Sequence, residues 1–258
     1  MTGRAIVVHR DATLLARAVA ARLITGLVDV QAARGSASVV LTGGGIGIAV
    51  LRELRDAPAR DAVDWQRLDV WWGDERFLPP GDPDRNETQA RHALLDAVAL
   101  DPVRVHPLPA SASAGADPEA AADAYAHVLA AATRPEDHGS VPSFDIVLLG
   151  IGPDGHVASL FPEAPGVYDT RAVVAVRGAP KPPPIRLSLT FDSINSARVV
   201  WLLASGAEKA TAVHLALSGA GRVQVPAAGV AGRAGTLWLL DRDAASELPA
   251  SMARPASP

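Results

Sequence analysis

The sequence predicts an α/β fold built on a mostly parallel sheet flanked by helices, and three observations support this prediction. Apolar runs of five or six residues, the length of buried strands, alternate with longer segments of helical periodicity. Two of these runs pass directly into glycine-rich loops, as strands do at the ligand-binding edge of open α/β sheets. The chain has 258 residues, of which 48% are hydrophobic, so it is long enough for one full core. We therefore predict a single Rossmann-like domain over residues 1–258.

The apolar runs give the predicted strands in chain order. Each run is rich in branched or aromatic residues and is bounded by charged residues, glycine or proline. The predicted strands cover residues 5–9, 37–41, 68–72, 144–149, 172–176, 185–189, 199–204 and 236–240, with a further short strand at 103–108.

Helix starts are predicted from residues that cap helices. Asp11 is the expected N-cap of a long first helix that Gly35 ends. Asp117 precedes Pro118 at the start of another helix, because proline suits the first helical position. Two capping boxes are also predicted, Asp84 with Glu87 and Ser205 with Glu208. They place Asn86 and Lys209 in the first turns of their helices.

The loop after the second predicted strand has the sequence T-G-G-G-I-G, from Thr42 to Gly47, and a helical pattern follows it. Strand, glycine loop and helix form a phosphate cradle, because the helix amino terminus offers free N–H groups and a positive dipole end. The loop lacks the lysine of a nucleotide-binding P-loop and does not fit G-x-G-x-x-G. A tight turn without a ligand is the alternative interpretation.

Two further loops carry ionisable side chains where predicted strands end. One loop runs from Gly150 to His156, after a predicted strand. Four of its residues are glycine or proline, and it presents Asp154 and His156. The loop after Trp72 presents Asp74, Glu75 and Arg76. Both loops are expected at the ligand edge of the sheet. The alternatives are a connector whose histidine caps a helix, and an exposed charged loop whose ion pairs contribute little.

Composition excludes several classes of function. The chain has no cysteine, which removes disulfides, thiolate catalysis and cysteine-bound metal sites, and its histidines are scattered. A net charge of −4 without long runs of one sign gives no footprint for nucleic acid. No apolar run approaches the ~20 residues of a membrane helix. We expect no metal, no cofactor, no nucleic-acid or membrane partner, and a cytoplasmic protein.

Three motifs resemble those of the 6-phosphogluconolactonases, a branch of the sugar-phosphate isomerase and deaminase superfamily. Residues 144–162 include G-x-G-x-D-G-H-x-A-S-L-F-P, residues 72–79 read W-x-D-E-R-x-x-P, and residues 206–210 read G-x-x-K-A. They stand in the order of the family, and the resemblance extends over nearly the whole chain. It implies the sugar-phosphate isomerase type of α/β fold and hydrolysis of 6-phosphogluconolactone in the oxidative pentose phosphate pathway.

The resemblance also implies roles for individual residues. His156 is the expected general base for water, Arg76 is expected to stabilise the oxyanion, and Asp154 orients either His156 or an arginine. The residues expected to bind the substrate or its phosphate are Gly43, Gly44, Gly45, Asp74, Asn86, Gly155, Arg186 and Lys209.

The sequence departs from the family pattern in two places. Gly45 and Ile46 replace the usual serine and threonine, which removes expected hydroxyl contacts to phosphate, and Arg85 replaces the usual serine before Asn86. Whether Arg177 or Lys181 contacts the substrate is left open.

The sequence suggests two alternative functions, a deaminase and a phosphosugar sensor. Glucosamine-6-phosphate deaminases share the G-x-D-G-H loop, but their segment after the histidine ends in N-E-P, whereas Phe161 stands here in place of that glutamate. A non-catalytic phosphosugar sensor would usually carry a DNA-binding helix pair, for which we expect no room before the first strand, and would not need His156. We expect a small-molecule phosphosugar lactone as the partner, with the protein a monomer or a small homo-oligomer.

Overall fold

The computed structural model describes residues 3–112, 116–137 and 139–252. Six parallel strands form the main sheet in the order β1-β9-β8-β5-β2-β3, and three antiparallel strands form a second sheet in the order β4-β7-β6. The strands are β1 Gly3–His9, β2 Ala37–Leu41, β3 Leu68–Trp72, β4 Asp74–Arg76, β5 Ile146–Gly150, β6 Val173–Val176, β7 Arg186–Leu189, β8 Val199–Ala204 and β9 Gly235–Asp241.

The main sheet confirms the predicted fold class. Strand β5 lies between β8 and β2, and its residues 146–149 are fully buried because neighbouring strands and layers of side chains cover them on all sides. The strands predicted at 37–41, 68–72 and 199–204 have the same bounds in the structure.

The second sheet was not predicted. Residues 74–76 were expected in a loop, but they form β4, which pairs with β7. Gly73 makes the transition between the sheets, because its N–H donates to Leu41 O of the main sheet and its carbonyl accepts from Leu189 N of the second. Strand β4 therefore leaves the carboxyl end of β3 in a fixed direction.

Six α-helices complete the described fold: α1 Ala12–Arg34, α2 Gly44–Asp56, α3 Asn86–Ala93, α4 Pro118–Ala131, α5 Phe191–Asn195 and α6 Ala210–Leu217. Two predicted N-caps are confirmed, since Asp11 accepts from Leu14 N and Asp117 accepts from Glu119 N. Gly35 ends α1 with φ of 78°, in the left-handed region, as predicted.

The predicted capping box at α3 is wrong. The N-cap residue is Arg85, whose side chain makes no capping bond, and Asp84 does not cap the helix. The carboxylate of Glu75 on β4 does so instead, accepting from Asn86 N at 2.7 Å and from Glu87 N at 2.9 Å. A residue brought in by the tertiary fold thus satisfies the first N–H groups of the helix.

Two other local predictions are wrong. Ser205 does not cap α6, because its hydroxyl donates to Asp241 Oδ2 at 2.6 Å, and Lys209 is the uncapped N-cap residue of that helix after a 3₁₀ turn. Residues 103–108 do not form a strand. A 3₁₀ turn covers Pro102–Arg104, and only Val105 makes a single bridge, to Val70 of β3.

The single-domain organisation over 1–258 stays a prediction. It is supported by the pairing of β1, near the start of the chain, with β9, near its end, and by buried side chains that join both sheets in one apolar cluster. None of the helices in the described part of the chain combines the length and apolar character needed to cross a membrane.

Replacing Gly35 by alanine is expected to destabilise the protein by about 1 kcal/mol, because a Cβ strains the left-handed conformation although only Arg67 lies near it. Thermal unfolding should show a decrease of about 2–4 °C in Tm. Gly221→Ala is the control, since its Cβ would meet nothing within 4 Å and its φ is not left-handed. An equal loss in both variants would contradict the backbone explanation.

Candidate active site

A cleft of about 610 Å³ lies at the carboxyl ends of the main-sheet strands. Loops that follow β2, β5 and β8 surround it, together with β4, the starts of α1 and α3, and the segment before β7. Nine of the eleven predicted site residues line it: Gly43, Gly44, Gly45, Asp74, Arg76, Asn86, His156, Arg186 and Lys209. The other two, Asp154 and Gly155, lie in the loop that carries His156 and do not line the cleft themselves.

His156 and Asp154 form a hydrogen-bonded pair. Nδ1 of His156 lies 2.5 Å from Asp154 Oδ1, so the structure places Asp154 against His156. A carboxylate only accepts, hence Nδ1 carries the hydrogen of this bond, and in the neutral imidazole the lone pair is on Nε2. Burial disfavours the charged form of Asp154, but the bond to His156, its charge and nearby backbone N–H groups outweigh burial and lower the pKa of Asp154 to about 2.

The loop glycines leave room for this pair. A Cβ on Gly152 would overlap His156 Nδ1 and approach Asp154 Oδ1 at 2.5 Å. The backbone closes the turn, because Gly152 N donates to His156 O at 2.9 Å and Gly155 N donates to Gly152 O at 2.9 Å. Gly155 has φ of 83°, and a side chain there would meet Val225. The predicted role of Gly155 in binding is therefore accompanied by a packing role.

The ring of Phe161 lies beside the imidazole of His156 and provides an apolar neighbour for it. Its ring centroid lies 4.7 Å from that of His156, and the guanidinium carbon of Arg186 lies 5.8 Å from it. Phe161 is 3% exposed. The place that a glutamate is expected to occupy in a deaminase thus holds a buried aromatic ring beside the imidazole.

The glycine loop after β2 begins α2 and faces the cleft. Gly44 has φ of 78° and starts the helix, and a Cβ on Gly44 or Gly45 would meet nothing within 4 Å. The first N–H groups of α2 have no partner within the helix and belong to residues that line the cleft, which suits an anion. A Cβ on Gly43 would overlap Asn86 Oδ1, so this glycine makes room for the asparagine.

Asn86 and Asp74 belong to a buried polar network at the surface of the cleft. Asn86 Nδ2 donates to Asp74 O at 2.9 Å and to Asp74 Oδ1 at 3.2 Å. The hydroxyl of Ser159 donates to Asp74 Oδ2 at 2.6 Å, and Ser159 N donates to Ser188 Oγ at 3.1 Å. These bonds hold the Asp74 carboxylate at the cleft surface in one orientation.

Glu75 lies behind this network and is fully buried. Its Oε1 accepts from Arg76 N at 2.8 Å and from Asn86 N, and its Oε2 accepts from Glu87 N. Arg85 Nη2 lies 3.6 Å from Oε2. Burial raises the pKa of Glu75 to about 7, although Arg85 and the three N–H groups favour the charged form. Glu75 is therefore a positioning residue for Arg76 and Asn86.

The unusual Arg85 points away from the cleft. Its side chain is 1% exposed, and Nη2 donates to Leu108 O at 2.8 Å and lies 3.4 Å from Glu87 Oε2. The charged contacts of Arg85, which stands in place of the usual serine, are therefore made inside the protein.

Cationic groups are held at two places around the cleft. Arg76 lines the cleft and its Nη1 donates to Asp84 O, whereas its buried Nε has no hydrogen-bond partner among the described residues. Burial lowers the pKa of Lys209, and Lys181 adds to this effect, while Glu208 and Asp154 oppose it. Lys181 and Lys209 both line the cleft.

Arg186 also holds the segment that precedes its own strand. Its Nε donates to Pro183 O at 3.2 Å, and Nη2 donates to Lys181 O and Pro182 O. These bonds fix the backbone that brings Lys181 to the cleft. Arg177 lies elsewhere, on the surface, in an ion pair with Glu119.

Hydroxyl side chains also line the cleft near the glycine loop, but they belong to residues other than those at positions 45 and 46. Thr13, Thr42 and Ser205 line the cleft. Thr42 Oγ1 accepts from Gly150 N, and Ser205 donates to Asp241, whereas Thr13 has no side-chain hydrogen bond within the described ranges. Across those same ranges, no three His, Asp or Glu side chains are grouped so that they could hold a metal ion.

Comparison with known proteins identifies the family of this chain. The model for glucosamine-6-phosphate isomerases/6-phosphogluconolactonase matches residues 10–238. The chain belongs to this family. It is 65% identical over 254 residues to a 6-phosphogluconolactonase of Streptomyces coelicolor, covering 98% of this chain and 97% of that protein. It is 51% identical over 246 residues to that of Mycobacterium tuberculosis, covering 95% and 98%.

Solved structures agree with the family fold. The 6-phosphogluconolactonase of Trypanosoma brucei superposes with a TM-score of 0.85 at 29% identity, covering 96% of this chain and all of that one. A monomeric glucosamine-6-phosphate deaminase superposes with a TM-score of 0.75 at 23% identity, which shows a shared fold. The predicted sugar-phosphate isomerase type of α/β fold is thereby confirmed.

Several residues of the site were not identified from the sequence. Glu75 was noted in its motif without a role, because its partners Asn86 and Glu87 are eleven and twelve residues away. Ser159 gave no signal for its bond to Asp74, 85 residues distant. Ala158, which lines the cleft, has φ of 48°, and no glycine marks this left-handed position. Gly152 was also given no role, and among these residues it is the one whose place in a motif, G-x-G-x-D-G-H, could have identified it.

Gly152→Ala is expected to displace the pair of His156 and Asp154, because the added methyl occupies the space of the imidazole. Since a small misplacement of a catalytic group lowers the reaction rate strongly, kcat for lactone hydrolysis should fall about 100-fold. Gly221→Ala, in open space, should keep the wild-type rate. Circular dichroism of both variants tests the fold, and a folded Gly152→Ala protein with unchanged kcat would contradict the assignment of this loop.

Proposed function

We propose that this protein hydrolyses 6-phospho-D-glucono-1,5-lactone to 6-phospho-D-gluconate in the oxidative pentose phosphate pathway, by histidine-assisted attack of water on the lactone carbonyl. The observation that carries the proposal is the pair of His156 and Asp154 in the cleft, with the apolar ring of Phe161 beside the imidazole. Membership of the family and identity to curated lactonases over nearly the whole chain support it.

The first step uses the free Nε2 of His156 as a general base. It takes a proton from a water molecule while the water oxygen bonds to the lactone carbonyl carbon, and the carbonyl electron pair moves onto oxygen. The imidazolium that forms is stabilised by Asp154, which stays ionised because its pKa is lowered to about 2. Arg76, which lines the cleft, donates to the developing oxyanion through its guanidinium group.

The second step breaks the ring ester bond. The oxyanion restores the carbonyl, the bond from carbon to the ring oxygen breaks, and the imidazolium returns its proton to that oxygen. The products are the open-chain acid, which ionises in water, and the neutral histidine. Neither step requires a metal or a cofactor.

The phosphate of the substrate is bound by the glycine loop and Lys209. The open N–H groups of Gly44 and Gly45 at the start of α2 and the ammonium of Lys209 line the same cleft. Arg186 and Lys181 supply further positive charge, and Asp74 and Asn86 are placed to receive sugar hydroxyls. Gly155 acts by forming the turn that presents His156.

The deaminase alternative lacks support at one position. Ring opening in that reaction is expected to need a carboxylate partner for the histidine, and Phe161 packs there instead. The sensor alternative leaves the pair of His156 and Asp154 without a use. We further propose that the protein acts in the cytoplasm, which the absence of cysteine supports. We also propose that it is a monomer or a small homo-oligomer.

His156→Ala is expected to lower the rate of lactone hydrolysis about 100-fold or more, since a general base contributes on that scale. The lactone is generated in place by glucose-6-phosphate dehydrogenase, and a reaction without the protein gives spontaneous opening. His127→Ala, at an exposed position on α4, is the matched control and should keep the full rate. Wild-type hydrolysis at the spontaneous rate, with turnover of glucosamine 6-phosphate, would establish the deaminase alternative.

Asp154→Asn is expected to reduce kcat and to move the acid limb of the pH–rate profile to lower pH. Because the pKa of Asp154 is about 2, its carboxylate is charged throughout the working range and favours the imidazolium, and asparagine removes that charge. The profile of kcat/KM from pH 5 to 8 measures the shift. A lower kcat with an unmoved acid limb would show that Asp154 has only a structural role.

A further inference from the structure

A second cavity, of about 720 Å³, lies at the opposite edge of the main sheet from the active cleft. Its lining includes Asp145, Arg198 and Ala234, which directly precede β5, β8 and β9, and Ser38 near the start of β2. Because the strands are parallel, their amino ends all lie at the edge away from the active cleft. The two cavities are therefore separate.

Arginines provide most of the charge of this arginine cavity, which is lined by Arg34, Arg104, Arg134, Arg198 and Arg233. Two of them have acidic partners, since Arg34 pairs with Asp145 and Arg104 Nη1 lies 2.8 Å from Asp69 Oδ2. The remaining three form no ion pair with a carboxylate of the described residues. Their side-chain contacts there are Arg134 with Ser36 and Arg233 with Ser143, both neutral hydroxyls.

Four carboxylates also line the cavity, and three of them are bonded to other residues of its lining. Asp145 also accepts from Ser38 N at 2.9 Å, and Asp69 lies 3.5 Å from His106. Asp137 accepts from two backbone N–H groups, at 2.7 Å from Arg134 and 2.9 Å from Ser143. Glu136 is exposed and is the one lining carboxylate without such a bond in the described ranges.

The guanidinium groups are close enough to affect one another. Burial lowers the pKa of Arg34, and the positive charges of Arg134 and Arg198 lower it further, against Glu136 and Asp137. Like charges held this close repel unless an anion lies between them. The walls are also fixed, because the ring of Trp71 stacks on His106 with centroids 3.9 Å apart and both line the cavity.

We propose that the arginine cavity binds a small polyanion of the pyrophosphate or organic bisphosphate class between Arg134, Arg198 and Arg233. Guanidinium groups bind phosphate oxygens through paired N–H bonds, and several of them around one cavity favour a ligand with more than one charged group. The volume is that of a small-molecule site. Such a ligand would occupy the protein together with the lactone, since it approaches from the other edge of the sheet.

Isothermal titration with pyrophosphate tests the proposal on the full chain. The variant Arg134→Gln/Arg198→Gln should bind pyrophosphate at least about tenfold more weakly than wild type, because charge-assisted hydrogen bonds are lost. Arg22→Gln/Arg52→Gln is the matched control: it removes the same charge from exposed arginines on α1 and α2 that do not line either cavity. Lys209→Gln reports binding in the active cleft.

Retained binding in the control and in Lys209→Gln, with loss in Arg134→Gln/Arg198→Gln, would support the arginine cavity. Loss in Lys209→Gln alone would overturn it, because pyrophosphate would then occupy the active cleft. Equal weakening in both double variants would show an effect of net charge and would also overturn it, as would no heat of binding in wild type. Lactone hydrolysis and unliganded Tm of each double variant, both expected to be unchanged, verify the fold.

Discussion

The buried carboxylate of Glu75 is the interaction on which one wall of the active cleft depends. It accepts backbone N–H groups of Arg76, on β4, and of Asn86 and Glu87, at the start of α3. The two segments are thereby joined at the residues whose side chains face the cleft. An unpaired buried N–H is costly. The carboxyl group of Glu75 therefore has a structural role that does not require contact with substrate.

Close packing around the cleft also depends on two positions that lack a side chain. The imidazole of His156 fills the space in which Gly152 would carry a Cβ, and the amide of Asn86 fills the corresponding space at Gly43. Both glycines lie in loops that would ordinarily be explained by anion binding alone. In this protein the same glycines allow two polar side chains to approach the backbone closely, so the loops serve packing and ligand access together.

The fold was predictable where the decisive contacts are local or where burial is complete. The strand at 37–41 and the caps Asp11 and Asp117 follow from neighbouring residues and were confirmed. The predictions failed where a distant group satisfied the backbone. Glu75 caps α3 from another element, and Asp241 takes the hydroxyl of Ser205 that was expected to cap α6. Residues 74–76 form a strand only because β7 lies beside them.

The site shows the same division. Nine of the eleven residues predicted for the site line the cleft, because parallel strands bring the segments at their carboxyl ends together. At the amino ends the same geometry collects arginines, and helix ends explain some of them: Arg34 is the last residue of α1, where the helix dipole favours a cation. Arg198 lies two residues beyond Ser196, the C-cap of α5, whereas Arg233 precedes β9 and follows no α-helix directly. Their convergence with Arg134 on one cavity is better explained by an anion that they bind together.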